Sequence, residues 1–80
     1  MPDNSTHTVS ISLTGGGSIL FRHLPSLEAE RLREAFENYL LNGFPRKIAL
    51  TSIDSVRGTT RRVLVRVEAI EAIDQYGNSL

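Results

Sequence analysis

Eighty residues with nine basic and nine acidic side chains, no cysteine and zero net charge describe one small domain. Disulfide staples and thiolate metal sites are excluded, as is nucleic-acid binding by bulk charge alone. A chain of this size buries only about 60–65% of the surface its unfolded form exposes, so self-association is the natural remaining support for its core.

Residues 1–6 are polar, lack the basic and apolar regions of a signal peptide, and read as a disordered leader. No apolar run approaches the roughly 20 residues that span a bilayer, so the expectation is a cytoplasmic protein with no membrane partner. Val9, Ile11 and Leu13 then alternate with Ser10, Ser12 and Thr14, the two-residue period of a strand with one buried face. Gly15-Gly16-Gly17 makes a turn, and Ile19, Phe21 and His23 alternate with Leu20, Arg22 and Leu24. Pairing Thr14 with Ser18 puts Leu13 opposite Ile19, Ile11 opposite Phe21 and Val9 opposite His23 on one face, leaving Leu20, Arg22 and Leu24 on the other.

Residues 25–43 carry the one helical period in the chain. With Leu32 as reference at about 100° per residue, Ala29, Ala35, Phe36, Tyr39 and Leu40 share one stripe. The glutamates Glu28, Glu30, Glu34 and Glu37, with Arg31 and Arg33 among them, read as the solvated side. Ser26 is placed to cap the start behind Pro25. Asn42-Gly43 suits a left-handed end, and Pro45 forbids continuation.

Two further strands follow, 46–53 and 60–67. Their alternation pairs Ile48 with Val67, Leu50 with Val65 and Ser52 with Val63, and sets Lys47 opposite Glu68 and Asp54 opposite Arg61. The connection is a turn at Arg57-Gly58 or a four-residue loop over 56–59. Residues 68–74 fit either a short helical turn or a kinked strand, because Ile70 and Ile73 stand three apart; residues 75–80 read as a fraying tail. The expectation is an α+β domain over residues 7–74: ββ-α-ββ, a four-stranded, mainly antiparallel sheet with one helix packed on one face. Its core is Val9, Ile11, Leu13, Ile19, Phe21, Leu32, Phe36, Tyr39, Leu40, Ile48, Leu50, Val63, Val65 and Val67. Leu32 and Phe36 are its centre on the helix, with Phe36→Ala expected to cost about 3–5 kcal/mol.

No arrangement of residues points to catalysis, a cofactor or a metal. The triple glycine lacks the lysine and following helix of a phosphate loop. His7 and His23 approach each other across the first hairpin without a third ligand. No serine or threonine has an assigned base and orienter. What the pattern singles out is the outer sheet face, where Leu20, Leu24 and Leu64 stand among Arg22, Lys47, Arg62 and Arg66. Leucines rimmed by cations suit a protein interface, and the function expected is a non-enzymatic interaction or regulatory module that self-associates, with a homodimer favoured. The alternative is a nucleic-acid-binding regulator using the hairpin of residues 46–66, where Arg46, Lys47, Arg57, Arg61, Arg62 and Arg66 face a single Asp54. Against it, this face carries no aromatic ring for base stacking.

Overall fold

The computed structural model describes residues 6–54 and 58–76. In chain order these form strands β1 (Thr6–Leu13) and β2 (Ser18–Pro25), helix α1 (Ser26–Asn42), strands β3 (Lys47–Asp54) and β4 (Thr59–Arg66), a 3₁₀ turn over Val67–Ala69, and β5 (Ile70–Tyr76). The class is α+β and the ββ-α-ββ order holds. The single four-stranded sheet does not: the strands form a three-stranded sheet, β2-β1-β5, and a separate two-stranded sheet, β3-β4, all antiparallel. The stretch that fitted either a turn or a kinked strand contains both, the 3₁₀ turn bending the chain from β4 into β5. β5 pairs Gln75 with Val9 and Tyr76 with Thr8, two residues into the expected tail. Among the described residues no helix is long and apolar enough to cross a membrane.

Both hairpins sit two residues away from the expected registers. In the first, Ser12 faces Ser18, Ile11 faces Ile19 and Val9 faces Phe21, leaving a five-residue loop whose Leu13 amide donates to the Gly17 carbonyl. In the second, Lys47 faces Arg66, Leu50 faces Val63 and Asp54 faces Thr59. Lys47 therefore does not stand opposite Glu68 in the register, nor Asp54 opposite Arg61. A slide of two leaves every residue on its own face, because side chains alternate with period two. Inward and outward assignments survive while the partners change.

The turn places Gly15 and Gly16 at φ +98° and +101°, whereas Gly17 lies outside the left-handed region with Leu13 Cδ1 3.8 Å from where a Cβ would stand. Gly16→Val is therefore expected to destabilise the domain by about 1–2 kcal/mol through backbone strain. Gly17→Ala is expected to stay within about 0.5 kcal/mol. Thermal melts of the two variants check the contrast, and equal melting temperatures would contradict it.

The two-residue period breaks twice. In β2, His7 faces Leu24 while Val9 faces Phe21, so β2 holds one residue more than β1 between these pairs. This bulge corrects two assignments: Leu24 turns into the core at 0% exposure and His23 is only half-buried. In β5, Ser12 faces Ala72 but Leu13 faces Ile70, and the shift brings Ile70 and Ile73 to the same inner side.

The core assembles Val9, Ile11, Phe21, Leu24, Leu50, Val65, Val67 and Ile70 of the strands and turn with Ala29, Leu32 and Ala35 of α1. Phe36 and Tyr39 pack against it half-buried, but Leu40 does not belong to it and is 66% exposed. Leu40 lies at the margin of the stripe, about 80° from Leu32 on the wheel. The helix begins with Pro25 in the capping position and Ser26 as its first residue, so Ser26 is not the cap. It ends as expected, with Gly43 left-handed at φ 84° and its amide donating to the Tyr39 carbonyl at 2.8 Å.

Candidate functional site

The outer face of the β3–β4 hairpin is fixed by what its inner face must do. Leu50 and Ser52 of β3 and Val65 of β4 are buried. Strand alternation then turns Lys47, Ala49, Thr51 and Ile53, with Arg62, Leu64 and Arg66, the other way. Leu64 is 67% exposed and Ile53 41%. Lys47 stands directly opposite Arg66, and Arg62 opposite Thr51. Leu20 and Arg22 face outward on β2, the edge strand that lies alongside β3 without sharing a ladder with it. Six of the seven surface residues read from the sequence are thus exposed, and Leu24 is the exception, buried by the bulge.

Of the remaining cations, Arg61 turns to the inner side, with its Cζ 5.9 Å from the centroid of the Phe21 ring. It is no part of the outer surface. Arg57 lies outside the described residues. Arg66 donates to Glu68 Oε1 at 2.9 Å. That hydrogen bond holds the Glu68 carboxyl below its ordinary range, with the charges of Arg66 and Arg46 adding to the effect.

A second cluster explains why the sheets stay apart. Along the edge of β3 that β4 does not use, the Thr51 amide donates to Glu28 Oε1 at 2.9 Å. Arg31 Nη1 donates to Glu28 Oε2 at 2.9 Å and to the Ala49 carbonyl at 3.4 Å. Two side chains of α1 therefore occupy backbone groups that a ladder with β2 would otherwise take. Glu28 is not part of the solvated side; its side chain is 19% exposed. Spacing carries the signal, since Glu28 precedes Leu32 by four residues and shares its face, while charge alone groups it with Glu30, Glu34 and Glu37. Glu28→Ala is expected to cost about 1–3 kcal/mol by leaving the Thr51 amide unpartnered. It should also speed hydrogen exchange at that amide, whereas Glu34→Ala does neither. Unchanged protection of Thr51 would show that the contact is dispensable.

His7 Nε2 and Ser26 Oγ share a hydrogen bond of 2.9 Å. The contact has the geometry of a nucleophile and its base, and sequence spacing gave no sign of it because the residues meet only through the bulged end of the hairpin. Among the described residues His7 Nδ1 is buried without a hydrogen-bond partner, so none of them supplies the third group that orients the base in such a site. The bond ties the start of β1 to the start of α1. Among the described residues no group of three or more His, Cys, Asp or Glu is placed to hold a metal ion.

The sequence reading also leaves out the far end of α1. Leu41 and Phe44 are 80% and 66% exposed, and an open groove of about 350 Å³ lies between α1 and β5. Phe36, Leu40 and Ile73 line it with Arg33, Glu37 and Gln75. Half of this lining is apolar and half polar, and the groove is open to solvent rather than enclosed around a ligand. No family model, curated protein or solved structure matches the chain.

Proposed function

We propose that the chain is a small non-enzymatic interaction module, and that it self-associates through the outer face of the β3–β4 hairpin. The observation that carries this reading is Leu64. It stands exposed in the middle of a strand, with Arg62 and Arg66 two residues away on either side along the same face. A leucine there gains nothing from water, and arginine stems pack readily around an apolar contact while their heads reach polar groups at its rim. Among the described residues no strand pairs with the outer edge of β4, which adds a second incentive for association. A cysteine-free chain suits work in the cytoplasm.

Sedimentation of the purified protein across concentration tests the reading. The wild type is expected to form a dimer or larger assembly at tens of micromolar (roughly the range of a weak, specific interface). Leu64→Glu should weaken that assembly by roughly a hundredfold and leave the melting temperature of the monomer unchanged. A wild type that remains monomeric at high micromolar concentration would overturn the proposal.

One observation favours the second reading, a nucleic-acid-binding regulator. The ring of Phe44 is exposed two residues before Arg46 and Lys47, and a ring beside cations is what a single-strand platform uses. That reading predicts a monomer whose affinity for single-stranded DNA or RNA falls steeply with salt, and Phe44→Ala would reduce it.

A further inference from the structure

α1 turns a second unpartnered surface outward. On the helical wheel Glu30, Glu34 and Glu37 lie within about 40° of the direction opposite Leu32. Leu27 and Leu41 close the two ends of this stripe at 74% and 80% exposure. Arg33 flanks it, while Arg31 is turned toward Glu28 and Ala49.

Both outward surfaces crowd like charges together. Glu30 and Glu34 are four apart and Glu34 and Glu37 three apart, spacings at which like charges weaken a helix. On the hairpin, Lys47 stands directly across from Arg66, an unfavourable cross-strand pair that Glu68 relieves only on one side. The two clusters have opposite sign and similar length. Glu30 to Glu37 spans about 10 Å at 1.5 Å per residue, and Arg62 to Arg66 about 13 Å at 3.3 Å per residue.

From this complementarity, and resting on the self-association proposed above, we infer that the assembly is head to tail. The hairpin face of one copy docks on the outward stripe of α1 in the next. Lys47, Arg62 and Arg66 meet Glu30, Glu34 and Glu37, and Leu64, midway between Arg62 and Arg66, is covered by the aliphatic stems of those glutamates. A symmetric contact of hairpin face on hairpin face would instead bring two sets of cations together, which like-charge repulsion opposes. The two faces point away from each other, because α1 and the inner side of the hairpin enclose one core. Each copy thus offers one of each, and the contact propagates into a ring or a filament.

The test compares Leu64→Glu with Glu30→Lys/Glu34→Lys, substitutions confined to exposed positions, each checked for an unchanged circular dichroism spectrum and melt. Head-to-tail docking predicts that either protein alone associates roughly a hundredfold more weakly than the wild type. It also predicts that an equimolar mixture reassociates into a species containing both, because each supplies the face the other lacks. A helix variant that assembles as well as the wild type would overturn head-to-tail docking and leave self-association standing. So would a mixture that stays monomeric while the wild type assembles. A monomeric wild type would instead remove the reading on which the inference rests.

Discussion

Leu32→Ala is expected to lower the stability of the domain by about 2–5 kcal/mol, against a total of about 5–15 kcal/mol for proteins in general. Leu32 is fully buried in the core that also holds Ile11 and Leu24 of one sheet and Leu50 and Val65 of the other. A cavity there touches every layer, so the loss should lie in the upper part of that range. At roughly 4–8 °C per kcal/mol for a chain of this length, the melt should move far enough to leave part of the protein unfolded at physiological temperature. Phe36→Ala is expected to cost less, about 1–3 kcal/mol, because its ring is half-buried beside an open groove. Leu40→Ala should lie within about 0.5 kcal/mol. Urea denaturation of the three proteins gives the order directly. A Leu40→Ala variant as unstable as Leu32→Ala would mean that the helix is rotated from the face described.

Leu24→Ala is the second large expected effect, again about 2–5 kcal/mol, and it tests the bulge in β2. Unbroken alternation puts His23 inside and Leu24 outside, and His23→Ala would then be the damaging change. With the extra residue in place, Leu24 reaches the core and faces His7, whose Nε2 holds Ser26 at the start of the helix. Truncating Leu24 should therefore disturb both the core and this tie between strand and helix. His23→Ala and Leu20→Ala should stay within about 1 kcal/mol. Calorimetric melts decide it, and the reverse order would restore the simple alternation.

The same bulges show where sequence reading succeeds and where it stops. Period-two alternation placed Val9, Ile11, Phe21, Leu50 and Val65 inside and Arg62, Leu64 and Arg66 outside. It did so despite wrong pairings in both hairpins, because a slide of two preserves parity. A bulge changes parity in the middle of a strand. It makes residues three apart share a face, which is why Leu24 read as facing away from Phe21 and why Ile70 with Ile73 read as well for a turn. The division into two sheets was hidden for another reason. It depends on Glu28 and Arg31 bonding to backbone groups of β3, a contact between residues about twenty positions apart that no local pattern records. The candidate surface was legible except at Leu24. Its counterpart on α1 was visible only as a row of glutamates, which alone reads as an ordinary solvated side.

One feature of the three-stranded sheet bears on how the chain acquires its structure. β1 lies in the middle, with β2 on one side and β5 on the other, and Ile11 meets Ile73 across about sixty residues of intervening sequence. A ribosome adding about 5–20 residues per second finishes the first hairpin several seconds before it supplies the strand that closes it. Through that interval an edge backed by Val9 and Ile11 is open to any extended chain nearby. The β1–β5 pairing also raises the mean sequence separation of native contacts, which slows the concerted step of folding relative to a helical domain of equal size. Thr8, Ser10 and Ser12 on the other face of β1 keep that waiting edge from being apolar on both sides, the kind of composition that delays aggregation while a distant partner is still being made.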